Sequence, residues 1–386
     1  VEGTPKKPRN AWVKVVILLL WLYLFLSSIN MMGGGFKLMG KGFSDKLVLL
    51  TKNPFAGLMV GVLTTAIVQS SSLVTSIVVG LVGATTVDAA GHSVPILDFQ
   101  LAVPVIMGAN IGTTITAVLV AMGFVGRRGR FRRAFACATM HDFFNILTVA
   151  TLFPLEMLFH PLSRSALWLS DRFANVTHFN SPSSPVKWLL SRLETGAHAL
   201  LMDIFGLEPL PAAIIMTVVS LLLLFVSLYY LTRTIKSLVS DKMESILDRY
   251  VFRRPFIALL VGLALTATIQ SSSVTTSLMV PLVTAGVLTL EQVFPYTMGA
   301  NIGTTVTAVL AALGMGQPLG LAIALTHTLF NTIGVSIFFP WRRIRNIPVF
   351  LARTLAALTL RSRWYALVYI LVVFFIIPCF FVFVFN

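Results

Sequence analysis

Four consecutive polar residues, Gln69-Ser70-Ser71-Ser72, lie inside an apolar stretch, and the same four recur as Gln270-Ser271-Ser272-Ser273. The copies share a register: Pro54-Phe55 and Pro255-Phe256 precede them, Thr65-Ala66 and Thr266-Ala267 lead into them, and Thr75-Ser76 and Thr276-Ser277 follow. Four polar groups in membrane-grade surroundings are costly unless something uses them. A helix that begins at such a motif exposes unpaired N–H groups and about half a unit of positive charge. With the serine hydroxyls and the glutamine amides, these donors could surround a tetrahedral oxyanion. The surrounding apolar segments of both copies contain no lysine or arginine. Glutamine carbonyls, hydroxyls and unwound backbone carbonyls are also hard oxygen ligands suited to Na⁺.

A second block is duplicated without change, Gly108-Ala109-Asn110-Ile111-Gly112-Thr113-Thr114 and Gly299-Ala300-Asn301-Ile302-Gly303-Thr304-Thr305. Its paired glycines permit a break or a close backbone approach. Thr113 and Thr116, like Thr304 and Thr307, are three apart and share a face if helical. The candidate Na⁺ ligands are thus Gln69, Ser72, Thr113, Thr116, Gln270, Ser273, Asn301, Thr304 and Thr307, with Asn110 lining the same cavity. Small and hydroxyl residues in membrane helices also serve plain packing, but the duplication favours a two-part site with internal symmetry. His141-Asp142 could relay protons. The second copy has His327-Thr328 without the carboxylate, so His141 and Asp142, with Asn145 and Asn331, are read as interhelix hydrogen-bonding groups near the cytoplasmic end.

The chain that must position these residues has 386 residues, 56% hydrophobic and 11% charged. Soluble domains carry about 25% charged residues, so this is an integral membrane protein. Long apolar runs select helices over a β-barrel. The net charge of +15 falls mostly in short segments between apolar runs, as orientation signals do. No groove-reading or stacking motif accompanies it, so no nucleic-acid partner is expected. Cys137 and Cys379 lie in apolar stretches with neither disulfide nor transition-metal spacing, so Na⁺ is the only metal expected and no cofactor is implied.

Residues 1–10 are basic and assigned to the cytoplasm, and 11–32 spans outward. No small-residue cleavage site follows, so it is a retained helix rather than a leader. Val1 in place of methionine reads as a trimmed chain. Gly33-Gly34-Gly35 is expected to break the first helix. Segment 55–68 reaches only about 21 Å as a helix, too short for a core of about 30 Å, and suits one arm of a re-entrant or broken helix. Segment 256–269 matches it. Further spans at 101–124, 134–159, 212–231, 293–314, 319–340 and 364–385 give roughly eight.

Basic loops at 126–133, 232–254 and 342–363 are assigned to the cytoplasm. The polar region 160–211 is placed outside, with Asn175-Val176-Thr177 as a glycosylation acceptor if the source is eukaryotic. The first block therefore ends inside and the second begins inside, so the copies run in opposite senses, although Lys37 to Lys52 weigh mildly against this. The expected architecture is an all-α integral membrane protein of two inverted-topology repeats with re-entrant hairpins and broken helices. Its parts are 1–45 (cytoplasmic segment and first helix), 46–160 (first repeat), 161–254 (outer loop, linking helix and basic loop), 255–340 (second repeat) and 341–386 (basic loop and last helix).

Both Gln-Ser-Ser-Ser motifs, both Asn-Ile-Gly-Thr segments, Phe131-Arg132-Arg133-Ala134-Phe135-Ala136, Ala138-Thr139-Met140-His141-Asp142-Phe143-Phe144-Asn145 and Arg363-Trp364-Tyr365-Ala366 carry a resemblance. The chain resembles the type II sodium-dependent phosphate cotransporters over most of 50–160 and 250–380. It looks like a compact, bacterial member, shorter between the repeats than the animal proteins, which also continue past Phe385 with another apolar segment. The resemblance implies Na⁺-coupled uptake of inorganic phosphate across the plasma membrane by alternating access, with phosphate held by the two Gln-Ser-Ser-Ser motifs. Family sodium-site threonines match Thr304 and Thr307; Thr113 and Thr116 take that role by internal symmetry only. The implied partners are phosphate, Na⁺ and the bilayer, and nothing in the sequence specifies a subunit interface. The rival readings are a Na⁺-coupled carrier of another oxyanion such as sulfate, and an intramembrane hydrolase with a serine nucleophile and His141 as base, which lacks a duplicated Ser/His pairing.

Overall fold

A computed structural model describes residues 11–87, 91–177, 185–246 and 251–385, without the side chains of 11, 41, 174–177, 185–187 and 235–246. The side chains of the Asn175-Val176-Thr177 triplet, and Lys6, Lys7, Arg9, Lys236, Lys242 and Arg249, fall outside the described residues.

The chain runs α1 (Ala11–Met39), α2 (Lys41–Thr51), α3 (Pro54–Val68), α4 (Ser71–Gly83), a hairpin of β1 (Thr85–Val87) and β2 (Ser93–Pro95), α5 (Phe99–Gly112), α6 (Ile115–Met122), α7 (Arg128–Phe159), α8 (Pro161–Thr177) and α9 (Pro185–His198). It continues through α10 (Pro209–Ile246), α11 (Pro255–Ile269), α12 (Ser272–Ser277), α13 (Met279–Ala285), α14 (Leu290–Met315), α15 (Pro318–Phe338), α16 (Arg342–Arg361), α17 (Trp364–Leu371) and α18 (Ile377–Phe385). Among the described residues seven helical stretches are long and apolar enough to cross a bilayer, and an eighth arises if α2 and α3, bent by 100° at their junction, count as one.

Each duplicated glycine block does the same job in its own copy. A Cβ on Gly108 would collide with the Leu58 carbonyl, and one on Gly61 with the Val105 carbonyl, so α3 and α5 lie backbone to backbone. Gly299 meets Leu259, and Gly262 meets Tyr296, in the equivalent packing of α11 on α14. Glycine is required because any side chain would hold the helices apart, and close approach is how helices gain contact where lipid offers no hydrophobic drive. The copies differ in one respect: α5 and α6 are separated at Thr113-Thr114, whereas α14 runs unbroken through Thr304 and Thr305.

Three expectations are corrected. Gly33-Gly34-Gly35 does not break α1, which continues to Met39; these glycines face Met315, Glu194 and Thr217 and admit α9, α10 and α14 close to the helix. Much of the polar region 160–211 is helical. α8 buries Leu162 and Ala166 and bonds α15 through Ser170 Oγ to the Pro318 carbonyl at 2.7 Å. The arginine-rich segment after α15 is also a helix, α16, with Val349, Ala352 and Ala356 buried and α7 packed beside it. In both regions a polar helix face masks a narrow apolar stripe.

Gly108→Ala and Gly299→Ala should each lower the thermal midpoint of the detergent-solubilised protein by several degrees, since overpacking of this kind costs about 1–3 kcal/mol. Melting followed by size-exclusion chromatography measures this, and unchanged midpoints in both variants would refute the close packing.

Candidate functional site

α3 starts at Asn53, whose side chain accepts the Phe55 N–H at 2.9 Å, with Pro54 in the first helical position. It stops because Gln69 adopts the left-handed conformation (φ 56°, ψ 25°) while its N–H closes the helix on the Thr65 carbonyl at 2.7 Å. Ser70 then extends and caps α4, its Oγ accepting the Leu73 N–H at 3.2 Å. The second copy repeats this geometry. Gln270 (φ 58°, ψ 27°) closes α11 on Thr266, and Ser271 caps α12 by accepting the Val274 N–H at 3.4 Å. Across that turn the Thr266 and Thr275 hydroxyls bond at 2.8 Å. Left-handed backbone is uncommon for residues other than glycine, and such outliers concentrate at functional sites.

The two turns open onto one cavity of about 810 Å³. All eight residues of the two motifs line it. The first-turn N–H groups of α4 and α12 that the serine caps leave over have no intrahelical acceptor. The remaining wall comes from α10, through Phe225, Tyr229, Thr232 and Arg233. The sequence reading missed this wall: Arg233 stands at the end of an apolar helix and reads there as an orientation charge. A lone arginine within a turn of Tyr229 and Thr232 was the available signal.

The proposed cation ligands separate into groups. Ser72 Oγ of the first copy lies 3.4 Å from the Gln270 carbonyl oxygen and 3.4 Å from Thr304 Oγ1, both of the second. Among the described residues Gln270 Oε1 and Thr307 Oγ1 are buried without a hydrogen-bond partner, as are Thr65 Oγ1 and Thr116 Oγ1. Buried polar atoms are normally paired, so these oxygens are exceptions. Ser273 lines the cavity half-buried, and Gln69 lines it exposed. Thr113 is buried with its hydroxyl bonded back to the Ala109 carbonyl at 2.8 Å. Among the described residues no hydrogen bond joins Thr113 or Thr116 to either Gln-Ser-Ser-Ser turn; α6, which carries Thr116, packs against α12.

Asn110 and Asn301 do not line the cavity. They tie the copies together. His141 Nε2 lies 2.6 Å from Asn301 Oδ1, and Asn301 Nδ2 donates to Asn145 Oδ1 at 2.6 Å. In the other direction His327 Nε2 lies 3.2 Å from Asn110 Oδ1, which also accepts from Asn331 Nδ2 at 3.0 Å. Asn145 Nδ2 completes the network on the Asn110 carbonyl at 2.7 Å. Each copy's glycine-block asparagine thus meets the other copy's histidine and asparagine. Among the described residues neither histidine Nε2 meets a serine hydroxyl, and His141 is held by the Asn301 amide.

A family model described as Na⁺/Pi-cotransporter matches residues 24–157 and 223–377. The chain is 32% identical to sodium-dependent phosphate transport protein 2B of Pongo abelii, over 95% of this chain and 64% of that protein. It is 34% identical to protein 2B of Bos taurus, over 95% and 64%. Sodium-dependent phosphate transport protein 2A of Ovis aries is 32% identical over 97% of this chain and 69% of its own length. The chain therefore spans a little under two thirds of the first of these relatives. No solved structure matches it.

The asparagine network can be tested on stability alone. Asn301→Ala leaves His141 Nε2 and Asn145 Oδ1 without their partner and should cost about 1–2 kcal/mol, a loss typical of buried hydrogen bonds. Asn110→Ala should cost a similar amount. Thermal melts without added substrate measure both, and wild-type midpoints in the two variants would rule out the cross-copy bonds.

Proposed function

The chain belongs to the Na⁺/Pi-cotransporter family, and on that premise we propose that it is a secondary transporter coupling Na⁺ entry to uptake of inorganic phosphate across the plasma membrane. The observation that carries this reading is the meeting of both Gln-Ser-Ser-Ser turns in one cavity. Phosphate is held there by first-turn N–H groups of α4 and α12, by the serine hydroxyls and by the glutamine amides. The relatives' names support the same cargo.

Na⁺ binds among Ser72, the Gln270 carbonyl, Thr304 and Thr307, oxygens drawn from both copies, with Gln69, Ser273 and Asn301 close by in sequence. Thr113 and Thr116 form the symmetry-related counterpart on α5 and α6. The two copies are inverted repeats with re-entrant hairpins and work by alternating access. The N-terminus is cytoplasmic, and so is the Arg233 end of α10, so the cavity in this conformation opens toward the cytoplasm, where Arg233 attracts or releases the anion.

Proteoliposomes holding the protein should accumulate radiolabelled phosphate above equilibrium under an inward Na⁺ gradient and not under an equal K⁺ gradient. Equal uptake with either cation would remove the coupling ion. Accumulation of sulfate that phosphate cannot compete away would replace the cargo.

Within that assay Ser271→Ala should raise the phosphate concentration for half-maximal uptake at least several-fold. Thr307→Ala should instead shift the Na⁺ dependence more than the phosphate dependence. Wild-type behaviour in both variants at normal expression would sink the residue assignments while leaving the activity standing.

A further inference from the structure

We infer that the arginine-lined hollow between α7, α16 and the turn joining α13 to α14 binds the phosphate-bearing headgroup of an anionic membrane lipid. The hollow has a volume of about 460 Å³ and is separate from the Gln-Ser-Ser-Ser cavity. Arg132 and Arg133 enter it from the first turns of α7, and Arg353 from α16. Among the described residues no carboxylate pairs with Arg132 or Arg133; Arg353 meets Glu291 at 2.7 Å. Three guanidinium groups thus face a space that a single carboxylate only partly neutralises. Guanidinium groups bind phosphate through paired N–H donors, which suits them to a fixed phosphoryl group.

The turn below them is shaped to leave that space open. Gly286 adopts φ 79°, and a Cβ there would come within 3.2 Å of Arg133 Nη1. A side chain at this position would therefore be strained and would crowd the guanidinium. α14 begins beside it with a closed capping box: Thr289 Oγ1 accepts the Gln292 N–H, and Gln292 Oε1 accepts the Thr289 N–H. The positive end of a long helix dipole adds to the arginine field.

The surroundings select a lipid over a soluble phosphate compound. Val287, between the lining residues Gly286 and Leu288, and Phe350, three residues before Arg353 on α16, are 53% and 66% exposed and offer apolar surface. Trp341 and Trp364, at the two ends of α16, are 60% and 71% exposed. Exposed tryptophans of this kind mark the depth of lipid headgroups. α16 itself is amphipathic, with arginines on one side and its buried stripe against α7. Basic pockets between helices at this depth suit anionic headgroups. A bare phosphate ion would leave most of the hollow unfilled and the apolar rim unused.

The test does not depend on transport. The full chain in neutral detergent is titrated with dioctanoyl phosphatidic acid, dioctanoyl phosphatidylcholine or inorganic phosphate, and binding is read by native mass spectrometry and thermal midpoint. Phosphatidic acid should bind and raise the midpoint, and phosphatidylcholine should do neither. Arg132→Gln with Arg133→Gln should weaken phosphatidic acid binding about tenfold, as expected when charge-assisted bonds are lost, while Arg342→Gln, outside the hollow, should not. Should the double variant fail to fold, Arg353→Gln alone is expected to weaken binding several-fold. Undiminished lipid binding in the folded hollow variants would overturn the site. Displacement of the lipid by an equal concentration of inorganic phosphate would overturn the choice of a lipid ligand.

Discussion

A helix interrupted within an apolar segment leaves backbone groups without intrahelical partners, and this chain is arranged around two such interruptions. At Gln69 and Gln270 the left-handed turn lets the glutamine N–H finish one helix while the next serine caps the following one. That resolves most of the backbone groups and leaves a few donors facing the cavity. The turns are not stable by themselves, because left-handed backbone at a residue other than glycine costs on the order of 1–3 kcal/mol.

The packing around the turns has two tiers. Within each copy, Gly108 or Gly299 lets the long helix lie against the backbone of the interrupted one, which fixes where the turn sits. Between copies, Asn110 and Asn301 reach the opposite histidines, and Ser72 of one copy meets Gln270 and Thr304 of the other. The glycine and the asparagine are two residues apart on the same helix, so the surface that packs on one copy's interrupted helix is continuous with the group that binds the other copy. Separating the halves would leave buried histidine and asparagine groups unpaired. α10, which packs on α1 and supplies one wall of the cavity, contributes no side chain to that network.

The interruptions were legible because their residues violate their surroundings: Gln-Ser-Ser-Ser has no cheap place in an apolar segment, and repetition removes coincidence. The spans were legible from hydropathy. What escaped was everything whose reading depends on the neighbour. Gly33-Gly34-Gly35 has the composition of a breaker, but α9, α10 and α14 lie close against it and the helix continues. α8, α9 and α16 carry enough polar residues to resemble loops, because only a thin stripe of each is buried. Arg233 follows the rule for orienting charges, and only the approach of α10 to the two turns makes it part of the cavity. The pairing of each asparagine with the other copy's histidine cannot be found from spacing within either copy.

The neutrality of the two motifs is what would make coupling follow from geometry. A lysine or arginine fixed among them would attract phosphate whether or not Na⁺ was present, and would repel Na⁺ from the adjacent oxygens. With neutral donors alone, the compensating charge for the anion has to arrive with the ion. At an effective dielectric of about 20, opposite unit charges about 5 Å apart attract by about 3 kcal/mol, more than a hundredfold in affinity. Because Ser72, Gln270 and Thr304 come from both copies, a bound Na⁺ would also hold the two helix starts in the relative position an anion needs. Arg233, which lines the same cavity from a helix outside both copies, would add a positive charge that does not depend on Na⁺ and so would limit how strictly anion binding followed the ion.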